Sequence, residues 1–238
     1  TAFLRKIKAI SPDILILGAP TNNSLIIEER GVLWVEIVTS GKSAHAGEPQ
    51  FGDNAINRMV RICNHLEIEM SKRLEKREIK GMRSTINIGK IEGGINTNVV
   101  PNFCRTEIDR RLLPTEDYNN SFDEMLEIIE NCTESKRYCT VMKLRGTNGF
   151  SGKKDSVIVK NISKSYREIV GHPIKFSNAI GVSDGRYFSD DDIEIVSFGP
   201  GIDKEGHSAN ESIVISTMTE SALVLENAIG YILGYNKY

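Results

Sequence analysis

The sequence predicts an α/β domain assembled from both ends of the chain, with a smaller α+β domain of β-α-β-β-α-β order, the ferredoxin-like unit, inserted between them. Three observations predict it. Short, wholly apolar runs occur near both ends: Ile14–Leu17, stopping at Gly18, and residues 193–198, closed by Gly199-Pro200-Gly201. Such runs fit central strands covered on both faces. Residues 157–170 and 218–233 repeat apolar positions at i, i+3, i+4 spacing, as helices lying on such a sheet do. The middle of the chain alternates strand and helix patterns of another character.

Residues 32–39 read as a strand with Leu33, Val35 and Ile37 on one face. Asp53 is placed to cap a helix over 53–66, whose buried stripe is Ile56, Met59, Val60, Cys63 and Leu66. Strands follow at 84–91 and 103–112. A second helix runs from about 116 to 131 with Phe122, Met125, Leu126 and Ile129 inward, and a last strand covers 138–144. The expected boundaries put residues 1–30 and 148–238 in the first domain and 31–147 in the insertion. Thr1 is not an initiator and residues 2–10 read as the tail of a helix, so the chain is expected to be the C-terminal part of a longer protein.

The 238 residues are ample for a hydrophobic core. The formal net charge is −2 and the 30 basic residues are scattered, which gives no support to nucleic-acid binding and its strongly basic face. The Lys/Arg-rich stretch 72–83, interrupted by Glu75 and Glu78, reads as a solvated helix end and turn. Four cysteines form no C-x-x-C pair. No apolar run approaches the roughly 18 residues of a membrane span, so no membrane partner is expected. A cytoplasmic protein with reduced thiols is the simplest expectation.

Two of the 4 histidines lie in Gly-flanked loops. His45 sits in Gly41-Lys42-Ser43-Ala44-His45-Ala46-Gly47-Glu48-Pro49, and His207 in Gly206-His207-Ser208-Ala209-Asn210-Glu211. Loops on a rigid scaffold concentrate binding and catalysis, and imidazole serves both as a metal ligand and as a proton donor. A single loop histidine is more often a plain surface residue, but two such loops suggest one assembled site. His65 and His172 are assigned no role. Four further segments stand out: Gly18-Ala19-Pro20-Thr21, the loop from Gly93-Gly94 through Asn98 to Pro101, Asp109-Arg110-Arg111-Leu112-Leu113-Pro114, and Gly181-Val182-Ser183-Asp184-Gly185-Arg186.

In their order, these six motifs resemble those of the M20 metallopeptidases, the group that includes succinyl-diaminopimelate desuccinylase, acetylornithine deacetylase, aminoacylase and carboxypeptidase G2. The resemblance spans nearly the whole chain. It implies a zinc- or cobalt-dependent amide hydrolase with two metal ions, acting on an N-acyl amino acid or small peptide with a free carboxylate. It also implies a homodimer formed through the inserted lid domain. His207 matches the family's C-terminal metal-ligand histidine. His45 matches the lid histidine that donates a hydrogen bond to the tetrahedral oxyanion in the opposite subunit. Ser183 and Arg186 match residues that grip the substrate carboxylate, for which the planar arginine fork is suited. Asn98 matches a lid asparagine near the substrate, while Gly93-Gly94 also fit a plain hairpin connection. Arg111 matches the family's Asp-x-Arg-x-x-Pro arginine, with a substrate contact and a strand-end anchor both open to it. Asp184 is read as orienting its loop.

Two departures stand beside the resemblance. Ala19 occupies a position where relatives commonly carry a metal-ligating Glu, and a methyl group cannot bind a cation. Glu28 and Glu29 follow nearby, with no pattern that makes them substitutes. The family's other metal ligands and its general-base glutamate belong upstream of Thr1, so this chain alone is expected to be inactive, with one metal or none. The alternative function is a catalytically inactive, metal-poor dimeric homologue that binds amino acids or peptides. A third reading is a dimerisation scaffold whose loops do nothing.

Overall fold

The computed structural model describes residues 9–136, 138–179, 181–189, 192–202, 205 and 208–235. In chain order the elements are β1 (Ile14–Leu17), β2 (Leu25–Ile26), β3 (Glu28–Glu29), β4 (Gly31–Ser40), α1 (Ala55–Leu74), β5 (Glu78–Ile79), β6 (Met82–Arg83), β7 (Thr85–Gly93), β8 (Phe103–Leu112), α2 (Tyr118–Asn131), β9 (Cys139–Thr147), β10 (Phe150–Ser151), α3 (Val157–Val170), β11 (Phe176–Ser177), β12 (Glu194–Ser197) and α4 (Ile215–Ile232). They fall into two compact units, Thr1–Arg30 with Gly149–Tyr238, and Gly31–Asn148.

In the unit made of both ends, the sheet order is β1-β12-β2-β11. β1 runs parallel to β12, and β2 parallel to β11. β1 was expected in the centre of the sheet; it stands instead at the end of this order, with all four residues only partly buried. Its wholly apolar sequence has a different cause. Ile14 and Ile16 pack against the cluster around Leu25, Ile162, Val196 and Phe198, whereas Leu15 and Leu17 pack against Phe150, Phe188 and Ile195. α3 starts at Ser156, whose hydroxyl accepts the Val159 N–H, and stops at Gly171, which takes the left-handed conformation with φ 85°. Ser165 of α3 donates to the Val224 carbonyl of α4 at 2.8 Å, joining the two helices across their buried faces.

In the unit spanning 31–148 the four long strands lie in the order β7-β8-β4-β9, antiparallel throughout. Leu33, Val35 and Ile37 of β4 have no exposed surface. They meet Met59, Ile62, Leu66 and Met70 from α1 and Met125, Ile128 and Ile129 from α2. Three details depart from the sequence expectation. α1 is capped by Asn54, whose side chain accepts the Asn57 N–H, while Asp53 is drawn off into an ion pair with Arg58 at 2.8 Å. Val60 is exposed and Ile62 buried, because the helix phase set by Met59, Cys63 and Leu66 turns Val60 outward. α1 also runs to Leu74, and the basic stretch after it folds into the β5–β6 hairpin. Lys80 and Gly81 both have positive φ there, as a two-residue hairpin turn requires.

The four cysteines are free, and all join the core of this unit. Burial pushes the Cys63 thiol up to about 11. Among the described residues, no helix is long and apolar enough to cross a membrane.

Candidate active site

The candidate residues fall into two groups, one in each unit. In the 31–148 unit, the segment after β4 and the segment after β7 are stitched together by backbone hydrogen bonds. Ala46 N–H donates to Asn98 O at 2.9 Å, Val100 N–H to Ala44 O at 2.9 Å and Gly41 N–H to Asn102 O at 2.8 Å. His45 and Val99 form an isolated antiparallel bridge. Lys42 and Asp53 exchange both N–H···O bonds at 2.8 Å, closing the base of the His45 loop. Gly41 is obligatory at that closure, because a Cβ on it would lie 2.1 Å from the Asp53 carbonyl oxygen.

His45 is exposed, and its Nδ1 accepts the Gly47 N–H at 3.0 Å. An acceptor Nδ1 places the proton of the neutral ring on Nε2. The loop therefore presents Nε2–H outward as a donor. Asn98 is exposed beside it and belongs to a loop that borders an open groove of about 610 Å³, lined by Ala46, Asn54, Ile95, Asn96, Thr97 and Pro101. The structure thus brings His45 and Asn98 together. It does not bring Arg111 to them. Arg111 pairs in register with Val32 and Thr85, at the opposite end of strands whose other ends lead to His45 and Asn98. Its Nε donates to Asp109 Oδ1 at 2.7 Å, a contact of the strand-end anchoring kind.

In the other unit, Ser183 caps the short helical turn Asp184–Tyr187, its Oγ accepting the Gly185 N–H at 3.1 Å. Gly185 is buried so closely that a Cβ would come within 2.8 Å of Phe150 and 2.9 Å of Leu17. Arg186 lies over the Tyr187 ring at 4.8 Å and donates from Nη2 to the Tyr187 hydroxyl at 3.1 Å. Its buried Nε has no hydrogen-bond partner among the described residues. Ser183 and Arg186 are therefore on one turn.

Sequence reasoning missed the group that holds this turn. Glu29, on β3 and 2% exposed, accepts the Ser183 N–H at 2.6 Å. Burial pushes its carboxyl above the ordinary value, and the Ser183 bonds and Arg186 pull it back. Nothing local in the sequence marks Glu29, since its partner lies 154 positions away. Neighbouring Glu28 is also buried and accepts the Ser151 hydroxyl at 3.1 Å.

His207 lies outside the described residues. Among the described residues no group of three or more His, Cys, Asp or Glu could hold a metal ion. By themselves the described residues do not supply the dinuclear centre implied by the resemblance.

Residues 27–136 match the family model for the peptidase dimerisation domain of the M20 group. A probable carboxypeptidase of Emericella nidulans is 26% identical over 215 residues, covering 87% of this chain and 48% of that protein. A peptidase M20 domain-containing protein of Schizosaccharomyces pombe is 28% identical over 211 residues, covering 87% and 46%. The chain thus spans about half the length of these curated relatives. Among solved structures, the aminopeptidase PepT of Bacillus cereus superposes with a TM-score of 0.75 at 21% identity, covering 98% of this chain and 61% of that one. An M20 family metallo-carboxypeptidase of Sulfolobus solfataricus gives 0.73 at 17%, covering 95% and 65%. Residues 27–136 are thus similar in sequence to the M20 peptidase dimerisation domain, and the chain shares the fold of these solved peptidase structures.

Proposed function

We propose that this chain is part of a metal-dependent hydrolase that cleaves an amide bond in an N-acyl amino acid or small peptide carrying a free carboxylate. The observation that carries the reading is the Ser183–Arg186 turn, where the serine hydroxyl caps the turn that carries a part-buried guanidinium. A planar guanidinium suits a carboxylate. The 31–148 unit, with its β-α-β-β-α-β order, is read as a ferredoxin-like lid through which two copies pair. His45 is read as the donor of its Nε2–H to the oxyanion formed when the amide is attacked, a contribution of roughly 3–4 kcal/mol in other enzymes. Asn98 is read as a substrate contact on the same lid, and Arg111 as an anchor of its strand. Zinc or cobalt is the expected metal, with His207 the ligand this chain contributes and Ala19 contributing none; the remaining ligands and the general base lie on other parts of the protein. A cytoplasmic setting without nucleic-acid partners accompanies this reading.

The test is hydrolysis of N-acyl amino acids and dipeptides by the full-length protein with added zinc or cobalt. Activity should appear, disappear with a chelator, and fall at least about 100-fold in His45→Ala with little change in KM. Turnover that survives complete metal removal refutes the mechanism. Ala19 favours a second reading, a metal-poor peptide-binding homologue, which predicts ligand binding without turnover and no tight uptake of two zinc ions.

A further inference from the structure

We infer that Glu29 is a positioning residue: its enclosed carboxylate holds the 183–186 turn in the shape from which Arg186 meets a substrate carboxylate, without itself touching substrate. The inference rests on the carboxylate-binding reading of Ser183 and Arg186 given above. Glu29 sits on a two-residue strand fixed by pairing with Phe150. From there it takes up the N–H of Ser183, the residue whose hydroxyl caps the turn and whose carbonyl accepts the Arg186 N–H at 3.4 Å. One acceptor therefore fixes the start of the turn that carries Arg186.

The chemistry of the position argues for that role rather than for packing. Burying a carboxylate is costly unless hydrogen bonds compensate, and an apolar side chain would fill the same volume without that cost. An apolar side chain cannot accept the Ser183 N–H, and it places no negative charge near Arg186. Arg186 and Asp184 both act on Glu29 electrostatically and with opposite sign, so the carboxylate lies within the field of the turn it holds. At 2% exposure it is closed to a substrate, which must meet Arg186 from elsewhere.

Two measurements test this. In the 238-residue chain, amide hydrogen exchange at Ser183 should accelerate about ten-fold or more in Glu29→Ala, on the scale of losing a hydrogen bond to a charged group. Glu29→Gln, whose amide oxygen still accepts, should change it less, and exchange within α3 should be the same in all three proteins. In the full-length protein, alanyl-alanine and its C-terminal amide are compared as probes. Glu29→Ala should raise KM for the free acid about ten-fold with kcat nearly unchanged and leave kcat/KM for the amide as in wild type, with partial rescue in Glu29→Gln. Unchanged exchange at Ser183 overturns the inference, as does an equal loss on acid and amide. If Arg186→Ala fails to distinguish acid from amide, the carboxylate-binding reading falls, while the exchange result still decides whether Glu29 holds the turn.

Discussion

Removing the Glu116 carboxylate should unfold the 31–148 unit far more easily than its position just before α2 suggests. Glu116 accepts from Arg110 Nη2 at 2.7 Å, Arg77 Nη1 at 2.9 Å, the Leu113 N–H at 2.7 Å and the Ser84 hydroxyl. Arg110 has no exposed surface at all. Burial pulls its guanidinium below the usual arginine value, and Glu116 holds it up. Burial also pushes the Glu116 carboxyl up, but the Ser84 hydroxyl, Arg110, the Leu113 amide and Arg77 together hold it below its ordinary value. Glu116→Ala leaves an enclosed cation without its counter-ion, which costs about 3–5 kcal/mol. With a urea slope of about 2 kcal/mol/M for a unit of this size, the unfolding midpoint should fall by about 2 M. The sequence holds 1 tryptophan, Trp34, and it lies on β4 in this unit, donating from Nε1 to Asp109 at 2.7 Å. Its fluorescence therefore reports the relevant transition. In an Arg110→Met background, the same Glu116→Ala change should cost much less, because the buried charge has already gone. A loss below about 1 kcal/mol, the scale of a surface pair, or an equal loss in both backgrounds, refutes the argument.

Three further outcomes follow from the same contacts. Asp117 caps α2 through the N–H groups of Asn119 and Asn120, so Asp117→Ala should cost about 1 kcal/mol at neutral pH. The Asn120 bond, foremost, holds this carboxyl below its ordinary 3.8, so that stability is present above 3.8 and the gap to the variant should close as pH falls below it. Gly41→Ala would set a Cβ against the Asp53 carbonyl, and Trp34-monitored urea melts should show a loss of about 1–3 kcal/mol. Glu29 has the opposite sign to Asp117. Burial raises its folded pKa above the ordinary 4.5, so its contribution is greatest below 4.5 and lost as pH rises through the folded value. Melts followed by circular dichroism should show wild type losing ground to Glu29→Gln between about pH 4.5 and neutrality.

Much of the scaffold is local information. The alternation of Leu33, Val35 and Ile37 fixes which face of β4 is buried, and residues 156–171 carry both the apolar stripe and the Ser156 and Gly171 caps of α3. The loops containing His45, Asn98, Ser183 and Arg186 were legible because short runs of Gly, Ser, Asn and Pro stand out between periodic segments. Where local reading slipped, a competing partner decided the outcome. Asp53 gave up its capping role to Arg58, and Val60 yielded its buried place to Ile62 through helix phase. The flat apolar run at 14–17 reported two packed faces correctly, yet carried no information on which strands would flank it.

Periodicity, turn residues and capping side chains determined the longer elements and their order, because each depends on neighbours within a few positions. Only the tertiary structure decided that the His45 loop joins the Asn98 loop, that Arg111 stands at the far end of their sheet, and that Glu29 grips Ser183. Those relations depend on strand register and on contacts between residues scores of positions apart, and a single sequence read locally contains neither.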